Sequence, residues 1–295
     1  MPVKNTTIHS EYHQLASVLL CPVETAFEST DKIHRQWKQL NYTSAPVLEA
    51  AEKEYQEFAG LLIEQQIECL YLGRHENLSL DSMYCRDASI ATDFGYIICN
   101  MGKAARNFEP RAHVDYYTKT GRAILGKIES PGTLEGGDVA WIDRQTLVVG
   151  HSYRTNREGI RQLKALLSVH QVEVLEVDLP HYRGPEDVFH LMSVFSPVDE
   201  KLAVVYSPLL PIGFRNELLA RGFELVEVME EEFDTMGCNV LAIAPRSCVM
   251  VAGNPKTEAA LIQKGCRVFL YDGNDISIKG GGGPTCLTRP LSRIL

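Results

Sequence analysis

No two of the eight cysteines stand in C-x-x-C spacing; they fall at positions 21, 69, 85, 99, 238, 248, 266 and 286. A zinc knuckle or a thioredoxin-like redox pair therefore has no support. Cys99 in YIICN and Cys248 in SCVMV lie in apolar runs, where cysteine behaves as a small hydrophobe. That usage fits a reducing cytoplasm better than a disulfide framework. Positive charge is also short: 29 Lys and Arg against 38 Asp and Glu leave a net charge of -9. Such a surface repels phosphate backbones, which argues against nucleic acid as a partner. No apolar stretch approaches the ~20 residues of a membrane span, and the opening MPVKNTTIHSEYH has no apolar signal-like core. The expectation is a cytoplasmic protein that does not engage a membrane. Low-complexity linkers and long charge blocks are missing as well.

What is present is a recurring unit. LVVGHS (147–152) leads into the helical TNREGIRQLKALLS and then VEVLEVD (172–178). AVVYS (203–207), PIGFRNELLARG and FELVEV (223–228) repeat the order, as do SCVMVAG (247–253), NPKTEAALIQKG and CRVFLYD (266–272). Each reads strand, helix, strand. Ile160, Leu163 and Leu167 share a helical face, and Gly222 and Gly265 stand where a helix should end. Near the N-terminus, SVLLCPV (17–23) and ECLYLG (68–73) flank a helix whose inner face is Val47, Ala51, Tyr55, Phe58 and Leu62. Periodicity alone supports a symmetric repeat and an ordinary α/β sheet equally. The hydrophobic share of 45% and charged share of 23% are those of a globular chain, and the length suits one large domain or two small ones.

Four stretches do not read as core: LDSMYCRD (80–87), TLEGGDVAW (133–141), FHLMS (189–193) and KGGGGPTCLTRP (279–290). The four glycines before Cys286 allow unusual backbone conformations, and exposed N–H groups there would lower the pKa of the thiol. His190 is suited to giving and taking protons near neutrality. Glu135 and Asp138 of EGGD, with Asp81 and Asp87, form a carboxylate set. No histidine joins these acids at ligand spacing in the sequence, so a cationic ligand is expected rather than a metal. A thiol, an imidazole and several carboxylates suit attack on a planar cationic carbon: the carboxylates hold a guanidinium, the thiolate adds to it, and the imidazolium protonates the departing nitrogen.

In order along the chain, DSMYCRD, EPRAHV, EGGDV, SYRTN, FHLMS and GGGGPTCLTRPL resemble the guanidine-modifying enzymes of the pentein fold: dimethylarginine dimethylaminohydrolase, arginine deiminase, arginine dihydrolase and the amidinotransferases. The resemblance spans nearly the whole chain. It implies one domain over 1–295 folded as a five-bladed α/β propeller, with the strand–helix–strand units as blades around a pseudo-fivefold axis.

The resemblance further implies Cys286 as nucleophile, His190 as acid/base and Glu135 as the acid that supports it. Asp87 and Asp81 are implied as guanidinium-side acids, and Arg111 and Arg154 as a pair gripping a substrate carboxylate, which points to an α-amino acid substrate. No metal or organic cofactor is implied, the partner is a small guanidino amino acid, and a homodimer is compatible. The reaction implied is hydrolysis of arginine or an N-methylated arginine through a covalent thiouronium. An amidinotransferase, an arginine deiminase or dihydrolase, and a non-catalytic arginine binder are the alternatives. Met192 stands where deiminases and amidinotransferases carry a second guanidinium-binding Asp, which favours a methylated guanidinium. Arg86 before Asp87 is a deiminase feature, and Pro284-Thr285 replaces the His-bearing version that many relatives show before the cysteine.

Overall fold

The strands of this computed structural model, which describes residues 5–295, pair into five separate sheets. Four are built alike. In the first, Ser89–Thr92 pairs antiparallel with Gly95–Ile98, which pairs parallel with Ile124–Lys127 after the helix Glu109–Lys119. The next repeats this with Val139–Trp141, Thr146–His151 and Glu173–Asp178 around the helix Arg157–Ser168. Phe195–Asp199, Leu202–Val205 and Glu224–Glu227 follow, and then Leu241–Ala244, Ser247–Val251 and Arg267–Tyr271. The remaining sheet joins the two ends of the chain: Arg289–Ile294 lies between Thr6–Thr7 and Gln14–Leu20, and Glu68–Tyr71 completes it in parallel after the helix Leu48–Glu64. The last strand is thus the first member of the N-terminal blade.

The blades hold one another through specific contacts at each boundary. Asn100 bridges to Leu134, Leu191 N donates to Asp138 Oδ1 at 3.0 Å, and Arg246 N donates to Val198 O at 3.0 Å. Arg293 Nη1 donates to Ala242 O at 2.9 Å, which ties the last strand to the preceding blade. The five-bladed α/β propeller expected from the resemblance is the fold observed.

Local chemistry explains the units. Asn156 caps the helix 157–168 by accepting from Gly159 N at 2.8 Å, and Ile160, Leu163 and Leu167 are buried as their spacing requires. Gly222 and Gly265 take φ of 82° and 77° where their helices end, a conformation that costs glycine little. Val47 departs from expectation. It is the residue before the helix 48–64 and is 56% exposed, while Ala51, Tyr55, Phe58, Ala59 and Leu62 carry the inner face. All eight cysteines are free, and Cys99 and Cys248 are buried. No helix among the described residues is long and apolar enough to cross a membrane. Met1–Lys4, the start of the segment read above for an export signal, lie outside the described residues.

Leu163 has no exposed surface and packs with Ile160, Leu167 and Trp141. Leu163→Ala should cost roughly 2–5 kcal/mol through the lost transfer energy and the cavity left behind. Urea unfolding followed by circular dichroism should show a lower midpoint at an unchanged slope.

Candidate active site

The connections that follow the strands, both within and between sheets, supply the polar groups of one cavity. The segment after Glu68–Tyr71 brings Asp81 and Asp87. The segment between Gly95–Ile98 and Val139–Trp141 brings Lys103, Arg106 and Glu135. Later connections bring His190, Asn239 and Cys286, and Arg154 follows the strand Thr146–His151. All of them line a single cavity of about 260 Å³. That lies at the small end of ligand pockets, which run roughly 300–1,000 Å³, and fits one amino-acid-sized molecule.

His190 is buried, and its Nε2 lies 2.9 Å from Glu135 Oε2. The other Glu135 oxygen accepts from Lys103 N at 3.0 Å, so both oxygens have partners. Burial alone would push the imidazole pKa down. The carboxylates of Asp138, Asp87 and Glu135 outweigh it and hold His190 up at about 9. Burial likewise opposes the charge on Glu135, but the bond to His190 and the cations around it bring that carboxyl down to about 2. Both shifts favour an imidazolium set on a carboxylate.

Asp87 is divided between two tasks. Its Oδ2 accepts from Arg106 Nη1 at 2.5 Å. Its Oδ1, 3.9 Å from His190 Nδ1, is buried with no hydrogen-bond partner. Leaving a buried carboxylate oxygen unpaired is costly. Arg106 is spread over Asp87, both oxygens of Glu109, and the carbonyls of Asp81 and Tyr84. Each of its three nitrogens is engaged. Arg154 Nη2 donates to the carbonyls of Glu186 and Asp187 at 3.3 Å each, whereas its Nε is buried without a partner.

The Cys286 sulfur accepts from Asn239 Nδ2 at 3.3 Å. Asn239 Oδ1 in turn accepts from Thr285 N at 3.0 Å and Thr285 Oγ1 at 2.8 Å. Burial, with the nearby Asp87 charge, raises the thiol pKa despite these donors. The expectation that backbone N–H groups of the glycine run lower it is not met. The glycines serve packing instead: a Cβ on Gly282 would stand 2.5 Å from the Tyr84 ring, and one on Gly283 would stand 2.6 Å from Asn239 Oδ1. Gly137 has the same role across the cavity, since a Cβ there would meet His190 Nδ1 at 2.4 Å and Asp87 Oδ1 at 2.7 Å.

Of the residues singled out in the sequence, Asp81, Asp87, Glu135, Arg154, His190 and Cys286 meet in this cavity. Arg111 does not. It is exposed on the helix Glu109–Lys119, whose inward positions are Glu109, Pro110, Ala112, His113 and Tyr117. The buried arginine of this stretch is Arg106, three residues before Glu109, a spacing that lets it fold back on that acid. Lys103 and Asn239 were also missed. The three-residue step from Arg106 to Glu109 is visible in KAARNFEP, but nothing local marks Asn239. In the sequence no histidine stands at ligand spacing from these acids. In space Asp87, Glu135 and His190 bring ligand-type atoms within 4.8 Å of one another. A divalent cation there would have to displace the His190–Glu135 and Asp87–Arg106 contacts.

The family model described as N,N dimethylarginine dimethylhydrolase, eukaryotic, matches residues 21–293. The chain belongs to this family. It is 27% identical to the uncharacterized protein YkgA of Bacillus subtilis over 98% of this chain and 96% of that one. It is 28% identical to the N(G),N(G)-dimethylarginine dimethylaminohydrolase of Pseudomonas aeruginosa over 70% of this chain and 76% of that one. Among solved structures, a mutant of the Pseudomonas aeruginosa enzyme complexed with citrulline superposes with a TM-score of 0.76 at 21% identity, covering 95% of this chain and 99% of that one. The product-bound N-terminal domain of ArgZ, a cyanobacterial arginine dihydrolase, does so with a TM-score of 0.79 at 16% identity, covering 95% and 98%. At those identities the likeness is one of fold, and the fold is that of the pentein superfamily. The protein is therefore a guanidino-group-modifying enzyme of the dimethylarginine hydrolase, arginine deiminase and amidinotransferase type.

The ion pair sets a pH window. His190 is held above its ordinary 6.5, so its contribution to stability is full below that value and is lost as pH rises through about 9. In an NMR titration the His190 ring should remain protonated through neutrality, and Glu135→Gln should bring its midpoint down. A midpoint near 6.5 in the unsubstituted protein would refute the charge assignment.

Proposed function

We propose that this chain is a cysteine hydrolase that cleaves a C–N bond at the guanidinium carbon of an arginine-type guanidino acid, methylated or not, and leaves a ureido acid. The observation that carries the reading is the pair of buried orphans in one cavity, Asp87 Oδ1 and Arg154 Nε. Asp87 keeps one carboxylate oxygen open beside its Arg106 partner, and the Arg154 guanidinium keeps an N–H with no acceptor. A molecule with a guanidinium at one end and a carboxylate at the other satisfies both.

In the reaction, the guanidinium settles against Asp87 Oδ1 beside the Cys286 thiol. Its positive charge favours the thiolate, whose pKa is raised while the cavity lacks that cation. The sulfur adds to the central carbon. The tetrahedral adduct collapses when His190, protonated by its carboxylate surroundings, gives its proton to the departing nitrogen. The C–N bond breaks, ammonia or an amine leaves, and a thiouronium remains on Cys286. Neutral His190 then takes a proton from water as the water oxygen attacks the same carbon. The C–S bond breaks, the hydroxyl proton of the adduct passes to solvent and matches the protonation of the released ammonia or amine, the ureido product forms, and thiolate and imidazolium are restored. Covalent catalysis divides one difficult displacement into two.

Met192 favours an N-substituted guanidinium. It lines the cavity two residues after His190, and its sulfur accepts from Arg86 Nε at 3.2 Å. This wall therefore presents a thioether that is already engaged, with no second carboxylate to demand an N–H from every nitrogen.

Mass spectrometry of incubations with arginine-series compounds carrying unmethylated, monomethyl and dimethyl guanidines tests the reading. A ureido product with ammonia or the matching amine is expected, and Cys286→Ser should reduce turnover by roughly 10³-fold or more. His190→Gly should retain substrate binding and block turnover, because the departing nitrogen loses its proton donor. Amidino transfer to an added amine in place of hydrolysis would move the assignment to a transferase, and unaltered turnover in Cys286→Ser would reject the mechanism.

A further inference from the structure

The amide that donates to the Cys286 sulfur has its direction fixed from the other end. Asn239 Nδ2 lies 3.3 Å from Sγ, while Asn239 Oδ1 accepts from Thr285 N and from Thr285 Oγ1. A backbone N–H can only donate, so the amide oxygen must face Thr285 and the amide nitrogen must face the sulfur. The Thr285 hydroxyl has a single proton to give. It stands 3.9 Å from Sγ but 2.8 Å from Asn239 Oδ1, so that proton goes to the amide. Asn239 serves the sulfur, and Thr285 aims Asn239.

The amide is held by parts of the fold that do not carry the cysteine. Asn239 is buried and lies just before the strand Leu241–Ala244. Its backbone N donates to Met236 O at 3.0 Å. Val240 N donates to Ser196 Oγ at 3.2 Å, and Ser196 Oγ donates to Cys238 O at 2.7 Å. Ser196 belongs to the preceding blade, so two blades anchor a donor that reaches a cysteine in the approach to a third.

The sulfur needs such a donor. Burial and the Asp87 carboxylate push the thiol up, and the Asn239 amide, backed by Thr285, opposes them together with the Arg86 charge. The Tyr84 and Tyr271 hydroxyls face the sulfur as well, and burial keeps both protonated. The pairs His190–Glu135 and Lys103–Asp81 also line the cavity, as does Lys279, which Asp275 holds. We propose that Asn239 is the positioning residue of the nucleophile: its amide N–H sets the place of the Cys286 sulfur in the cavity and steadies the thiolate, and Thr285 acts through it. This role rests on the reading of Cys286 as nucleophile and adds the group that readies it. The competing role is that of a cap alone, in which Asn239 does no more than accept from Thr285 N at the turn that carries Cys286.

Alkylation of Cys286 by iodoacetamide, read by mass spectrometry of its peptide from about pH 6 to about pH 10, separates the two roles, because the thiolate is the reacting form. In the protein without ligand, Asn239→Ala should move the rate profile up by about one pH unit, a roughly tenfold slower reaction below the midpoint, since a lost donor disfavours the charged sulfur. Thr285→Val should move it the same way by less. Adding Thr285→Val to Asn239→Ala should change nothing further. With the arginine-series compound that the unsubstituted protein cleaves, Asn239→Ala should lower kcat by about tenfold or more and leave KM within about twofold. A cap alone predicts an unmoved profile, and that result, or an unchanged kcat, overturns the positioning role. If Asn239→Ala does not fold, Thr285→Val decides, and an unmoved profile there overturns the role likewise. A further shift in the double variant overturns the part given to Thr285. Alkylation needs no substrate. A shifted profile in a protein that turns over no guanidine therefore upholds the Asn239 contact and rejects the hydrolase reading, so the two failures are distinct.

Discussion

Five buried carboxylates, Asp81, Asp87, Glu109, Glu135 and Asp138, are packed in and around the cavity with only three cations set directly against them, Lys103, Arg106 and His190. A low-dielectric interior does not tolerate that imbalance without a response. Part of the response is in the acids themselves: burial pushes the Glu109 carboxyl up to about 7 and raises that of Asp138. Part is the imidazolium of His190, kept charged because the surrounding acids demand it. What remains is an unfilled appetite for a cation at Asp87 Oδ1. In the proposed reaction, the proton for the leaving nitrogen and the site for the guanidinium would both arise from one excess of negative charge.

That excess depends on the propeller. Asp81, Asp87, Glu135, Asp138 and His190 come from connections between sheets, while Lys103, Arg106 and Glu109 come from the crossover within one sheet. Asp138 illustrates the economy: its Oδ2 accepts from Ser152 Oγ and its Oδ1 from Leu191 N, so one carboxylate joins two blades and orients the residue after His190. Gly136 and Gly137 allow the close approach. A Cβ on Gly136 would stand 2.2 Å from Arg86 O, and the two segments are joined there by Gly136 N donating to Asp87 O at 2.9 Å.

Local pattern carried the blades well. Helical faces such as Ile160–Leu163–Leu167, the glycine stops at 222 and 265, and the alternation of strand and helix are properties of short windows. The fivefold arrangement is not such a property, and the family resemblance supplied it. Within the cavity, Asp81, Asp87, Glu135, Arg154, His190 and Cys286 were legible through ordered motifs. Arg111 was misplaced because EPRAHV forms a helix, and a helix points its third residue away from the face that buries Glu109 and His113. Arg106 and Lys103 were passed over because a basic residue in a loop looks like a solvated one until its acids are known. Asn239 lies 47 residues from Cys286 along the chain, and no window joins the two.

The segment DSMYCRD shows how fold and chemistry are kept from interfering. Asp87 faces the cavity, whereas Arg86 beside it turns away, pairing with Glu11 at 2.6 Å and donating to the Met192 sulfur. Arg86 is 1% exposed. Its guanidinium could otherwise neutralise Asp87, and the orphan oxygen would be lost. Glu11, contributed from the N-terminal blade, draws that charge off and leaves Asp87 to Arg106 on one oxygen and to a ligand on the other. A buried ion pair of this kind contributes little to net stability, because desolvation offsets the attraction. Its value here is directional: it fixes which of two adjacent charges faces the cavity. By the same logic Lys103 holds Asp81 Oδ2 and Arg106 holds Asp87 Oδ2, so each acid meets one of the protein's own cations through a single oxygen, and Asp87 Oδ1 is left buried without a partner. The charge pattern a substrate must match is therefore defined as much by the ion pairs already made as by the groups left open.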